Sequence, residues 1–225
     1  MLYVFLLAHV VADFILQPYW LVQRKNRLSG LAIHCSIVLA CMLLLGLLDA
    51  RVWALWPAML AITAVHFGAD FWKVRYGHHI PGPPIGPFLL DQMIHIATLI
   101  GVLSLVMPQA QLWSLGGSAA AHTALIAAAY VIVAFAVPIG VMVWLDPRFE
   151  HLALAGHARM RCLLLGVTLL VLVQMSSLLA LPAALVGLTL AARHPMSIHP
   201  LDRPIGMLSV ASGAALCGLV LLVLP

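Results

Sequence analysis

The chain has 225 residues, of which 64% are hydrophobic and only 8% charged, with a mean hydropathy of +1.11. A soluble domain carries roughly three times that share of charge, so a water-soluble globule is excluded. An all-α polytopic transmembrane helix bundle is expected, and the net charge of +4 is too small an excess to call for a nucleic-acid partner.

Taken in order, the apolar stretches predict spans at about 2–18, 30–48, 52–74, 87–107, 120–145, 160–176, 178–193 and 204–224. Residues 1–17 lack a basic leader and a small-residue cleavage site, and they carry His9 and Asp13 inside the apolar run, so they read as a retained first span. Pro138 predicts a kink in the fifth span. The sixth and seventh are short, and "SSLLALP" (176–182) is the turn between them. If it is not, the eight spans become seven. Cys35, Cys41, Cys162 and Cys217 lie singly in apolar runs, as buried small hydrophobes do. Trp53, Trp56, Trp113 and Trp144 fall near span ends, where an aromatic belt belongs.

With alternating spans, Arg24, Lys25, Arg27, Lys73, Arg75, Arg148, Arg159, Arg161, Arg193 and Arg203 share one side, against Arg51 on the other. The positive-inside rule makes that side cytoplasmic and puts both termini outside. "YGHHIPGPPIGP" (76–87) is then a stiff cytoplasmic connection.

Polar residues inside these spans follow a pattern. The first and third spans carry H-x-x-A-D-F (His9 and Asp13; His66 and Asp70), and the fourth carries the inverted order, Asp91 then His95. Residues four apart share a helix face. Reversing the motif where the helix direction reverses puts His9, His66 and His95 in one layer, on the order of 10 Å from the cytoplasmic end at about 1.5 Å per residue. Asp13, Asp70 and Asp91 form a second layer one turn nearer that end, joined by His34 from the second span.

Imidazole with carboxylate and no thiolate suits divalent Zn, Mn or Fe. The metal-ligand candidates are His9, Asp13, His34, His66, Asp70, Asp91 and His95, too many for one tetrahedral shell. Either two ions bind, or several aspartates hold the imidazole tautomers, with Gln17, Lys73 and Gln92 in support. A metal-free proton relay and a purely structural polar network are the competing readings. His78, His79, His122, His151, His157, His194 and His199 sit in loops or near span ends and read as interfacial. No Walker A, G-x-S-x-G or H-E-x-x-H pattern occurs.

H-x-x-x-D-F-x-L-Q (from His9 to Gln17), H-x-x-x-D-x-x-K (His66 to Lys73) and D-Q-x-x-H (Asp91 to His95) resemble a bacterial membrane family known as a domain of unknown function. The resemblance implies a motif-bearing four-helix core over residues 1–107, with C-terminal helices in 108–225 packing on it. It also implies a location in the bacterial inner membrane. "HARMRCLLLG" (157–166) departs from the acidic-basic pair common in that extension. A looser similarity to membrane metal-dependent hydrolases rests on the His/Asp pairs alone. Two functions are expected to compete. One is a hydrolase in which Asp13, Asp70 or Asp91 acts as base on a membrane-associated substrate. The other is a metal-ion or proton-coupled transporter, which the repeated motif favours. A non-catalytic membrane subunit is the third reading.

Overall fold

The computed structural model describes residues 1–115, 118–148, 155–175, 182 and 199–223. The expected seventh span, its preceding turn apart from Pro182, and His151, Arg193 and His194 lie outside the described residues. Among the described residues the chain is helical without strands. Six helices among the described residues are long and apolar enough to cross a membrane, and Leu2–Ile15 is a shorter apolar helix. By contact the chain divides into two units, Met1–Ala128 and Ala129–Pro225.

In the first unit, α1 (Leu2–Val10) runs into a π-helical turn, Val11–Ile15, where the Leu16 amide donates five residues back to the Val11 carbonyl. The helix stops there, short of the expected residue 18, because Pro18 has no amide to continue the ladder. At about 1.5 Å per residue it is on the order of 20 Å long, less than a bilayer's hydrocarbon core. Pro18 instead precedes a short helix, α2 (Tyr19–Arg24), with Leu21 buried and Tyr19 and Trp20 exposed.

Next comes α3 (Leu28–Leu45), then a 3-10 turn (Ala50–Leu55) led by Asp49. Arg51 donates to the Asp49 carboxylate and holds its pKa below the ordinary carboxylate range. The unit continues with α4 (Trp56–Tyr76), α5 (Ile85–Val106) and α6 (Gln109–Trp113). α1 packs on α3 and α5, α3 on α4, and α4 on α5. The four close a ring whose interior faces carry the polar motifs.

α7 (Ala119–Val131) carries the division between the units. It continues through a second π-helical turn, Ile132–Ala136, into α8 (Val137–Leu145). The expected kink at Pro138 is a widened turn just ahead of it, which accommodates a ring that has no amide to donate.

In the second unit, α9 (Ala155–Met175) pairs with α10 (Pro204–Val223). The buried face of α10 is Gly206, Val210, Ala214 and Gly218, a stripe at intervals of four that lets helices approach closely. A Cβ on Gly218 would stand 2.4 Å from Val173 Cγ1. Arg161 makes a two-pronged pair with Asp202, and Cys162 packs beside Leu201. His199, expected at an interface, is buried, and its Nδ1 accepts the Leu201 amide at 3.2 Å to cap a 3-10 turn. Cys35, Cys41 and Cys162 are buried and Cys217 half-buried, all as free thiols. The four span-end tryptophans are exposed.

Candidate metal centre

Every one of the seven expected ligands, from four different helices, is buried in one cluster. α1 and its π turn supply His9 and Asp13, α3 supplies His34, α4 supplies His66 and Asp70, and α5 supplies Asp91 and His95. The i, i+4 spacing aims each His/Asp pair inward, and ring closure of the four helices makes the aims coincide.

The imidazoles form a chain. His66 stacks on His95 with centroids 3.9 Å apart and planes 15° apart. His9 lies edge-on to both, at 5.8 and 5.1 Å. His34 was expected toward the cytoplasmic end of the site, level with the aspartates. Its Nε2 stands 3.4 Å from both Asp13 Oδ1 and Asp70 Oδ2, and the ring is fully buried with that same nitrogen 2.9 Å from His66 Nε2.

The carboxylates fall into two kinds. Asp70 Oδ2 accepts from Lys25 Nζ at 2.7 Å, and Asp91 Oδ2 accepts from Lys73 Nζ at 2.6 Å and from Gln92 Nε2 at 3.1 Å. Asp13 has only imidazoles near it: its Oδ1 is 3.4 Å from His34 Nε2, 3.7 Å from His66 Nε2 and 3.8 Å from His9 Nδ1. That oxygen accepts no hydrogen bond. Asp91 Oδ1, His9 Nε2 and His95 Nε2 are likewise buried without a hydrogen-bond partner. Such orphaned atoms are costly in low dielectric.

Sequence reasoning missed Lys25. It reads as one of three loop cations after the first span, yet its side chain is only 8% exposed, against 2% for Asp70. The available signal is Gly30. A Cβ there would fall 2.1 Å from the Arg24 carbonyl oxygen, so the glycine lets the first turn of α3 close on the end of α2 and fixes where Lys25 starts. Gln92 supports Asp91 as expected of a partner residue, and Lys73 does the same with its side chain 31% exposed. Gln17 follows the π turn with Oε1 buried and accepting no hydrogen bond. Exposed His78 and His79 lie tilted against each other, ring centroids 3.9 Å apart, in a 3-10 turn after α4.

The donor set fits a divalent ion. Three overlapping triplets, His9/Asp13/His66, His34/His66/Asp70 and Asp70/Asp91/His95, each hold their ligand atoms within 4.8 Å of one another. Two donors bound at about 2.0–2.1 Å to one ion stand about 2.9–3.4 Å apart. The His34–His66 and His34–Asp13 separations, 2.9 and 3.4 Å, lie in that range. A cavity of about 10 Å³ borders His9, His66 and His95, walled by Phe5, Met42 and Leu99. It has room for one water at most.

The chain belongs to the family described as protein of unknown function DUF3307, whose model matches residues 1–125. No curated protein and no solved structure matches it.

Proposed function

We propose that this chain is an integral protein of the bacterial inner membrane that holds a divalent ion (Zn, Mn or Fe) in the His/Asp cluster. Its activity is hydrolysis of a membrane-associated substrate. The observation that carries the metal reading is the convergence on Asp13 of three imidazoles, whose nitrogens stand 3.4, 3.7 and 3.8 Å from an Oδ1 that accepts no hydrogen bond. A bound ion would supply Lewis acidity at that point. His9, His34, His66 and Asp13 would hold it.

The chain's own groups support the hydrolytic part. Asp91 Oδ1 is a buried acceptor without a hydrogen bond, 3.2 Å from His95 Nε2, and it would take a proton in that role. Lys73 is the one cation of the cluster that reaches partial exposure. It lies within 5.9 Å of the Phe88 ring centroid, at the α4–α5 end of the bundle, where an anionic headgroup would arrive. That end is cytoplasmic on the positive-inside rule. Setting aside Lys25 and Lys73, which turn into the cluster, eight arginines still oppose Arg51 in the sequence count.

A second reading has its own support. Three carboxylates against two ammoniums leave the cluster short of one positive charge, which a single proton could cancel, so the same residues could serve proton transfer without metal.

Metal analysis of the detergent-purified chain separates the two. Stoichiometric Zn, Mn or Fe in wild type, and none in His66→Ala, supports the centre. Protein that is metal-free and takes up none selects the proton reading. Chelator-sensitive release of headgroups or acyl chains from lipid vesicles carrying the reconstituted protein tests hydrolysis. Release that chelator does not affect removes it.

A further inference from the structure

We propose that the centre takes one divalent ion rather than two, at its Asp13 end, because Lys25 and Lys73 already stand as tethered cations on Asp70 and Asp91. This rests on the metal reading above and narrows it. The three candidate triplets would on geometry alone admit two ions, since His9/Asp13/His66 and Asp70/Asp91/His95 share no residue.

Charge decides against the second. The deficit of one positive charge becomes an excess of one when a first divalent ion enters. Any imidazolium only adds to that excess. A second divalent ion would then enter a cluster already net positive, among buried side chains where the repulsion is poorly screened. The alternative is to expel a lysine. Lys25 has little freedom to leave: its side chain is 8% exposed, and the close contact of α3 on α2 at Gly30 fixes its backbone.

The same geometry locates the single ion. Asp70 Oδ2 stands as near His34 and His66 as Asp13 Oδ1 does, at 3.4 and 3.7 Å, but it already accepts from Lys25. Asp91 Oδ2 is saturated by Lys73 and Gln92. Asp70 Oδ1 and Asp91 Oδ1 face His95 alone, at 3.7 and 3.2 Å, whereas Asp13 Oδ1 gathers three imidazoles and its carboxylate pairs with neither lysine. His95, stacked on His66 and 3.2 Å from Asp91 Oδ1, is then a positioning residue that sets the His66 ring against the site.

Stoichiometry tests this directly. The full chain, purified in detergent, is stripped with chelator, dialysed and titrated with Zn(II) alone by calorimetry, with bound metal counted by mass spectrometry. One equivalent per chain is expected. Asp13→Asn should weaken binding by more than about 100-fold, whereas Asp91→Asn should keep one equivalent and lose no more than the roughly 10–100-fold of an outer partner of a ligand. Lys25→Met, which leaves Asp70 without its cation, should take up a second equivalent, and Lys25→Arg should return to one. Should Lys25→Met fail to give a monodisperse protein, the contrast between Asp13→Asn and Asp91→Asn decides. Two equivalents in wild type, or equal losses from Asp13→Asn and Asp91→Asn, overturn the single-ion assignment and leave the metal reading standing. No zinc uptake by wild type overturns both.

Discussion

Gly30→Ala tests whether the approach of α2 to α3 builds the site. The added methyl would lie 2.1 Å from Arg24 O, 2.4 Å from Arg24 C and 2.9 Å from Lys25 N, all backbone atoms that cannot rotate away. Restoring an ordinary contact requires the end of α2 to move by on the order of 1 Å, at an overpacking cost of about 1–3 kcal/mol. Lys25 rides on that segment, and its Nζ–Oδ2 distance of 2.7 Å to Asp70 has little slack. Stretching the pair adds part of the about 3–5 kcal/mol that a buried charge loses with its partner. A net destabilisation of about 2–4 kcal/mol is therefore expected in denaturant titration of the detergent-solubilised protein. The control is Gly68→Ala, also in a helix interior but with nothing within 4 Å of its added Cβ. It should be neutral or stabilising by up to about 1 kcal/mol. Equal stability of the two variants would refute the claim that the α2–α3 contact positions Lys25.

Three further outcomes are expected. Removing metal should lower the melting temperature of wild type, because a ligand that binds only the folded state stabilises it by mass action. Chelator should leave the melting of His66→Ala unchanged, and an unaltered wild-type melt would count against the centre. A cysteine at exposed His78 should resist an impermeant thiol reagent applied to intact cells, and rapid labelling would reverse the assigned sides. Gly77 is the poorer reporter, because it is buried. Asp202→Asn should destabilise by about 1–3 kcal/mol, since it leaves Arg161, 26% exposed, with a neutral partner. No change in a denaturant midpoint would show that pair to be ornamental.

The helices were legible because apolar runs of membrane length leave little else for a backbone to do. Six of the eight expected spans fall on long helices, with ends shifted by a few residues. Where α1 ends was less legible. Hydropathy continues through Leu16, but the ladder fails at Pro18, and the π turn that precedes it has no hydropathy signature. That the His/Asp pairs could share a centre followed from the reversed motif in α5. Two things did not follow. Periodicity fixes the face on which His34 lies but not how near α3 comes to α4, so the 2.9 Å approach to His66 was out of reach. Lys25 was hidden because a basic residue after a span is usually a solvated loop charge. What returns it to the interior is the short helix after Pro18, packed on α3.

The duplicated H-x-x-A-D-F is where sequence symmetry and chemistry part company. The first copy sits on a widened turn and faces its aspartate through His9 Nδ1, at 3.8 Å. The second sits on regular helix and uses His66 Nε2, at 3.7 Å. Beyond the first copy the chain turns at Pro18 and delivers Lys25 to the aspartate of the second. Three residues beyond the second copy's aspartate, Lys73 reaches Asp91 on α5. Each lysine thus neutralises a carboxylate that follows it in the chain, and both are spent on Asp70 and Asp91. Asp13 is left to the imidazoles. A cluster that had only to be stable would close the series with a third cation, because an ionised carboxylate with an orphaned oxygen is among the costlier things a buried site can hold. Asp13 beside three histidines is therefore where the proposed cation would act, and where a single proton would act in the competing reading.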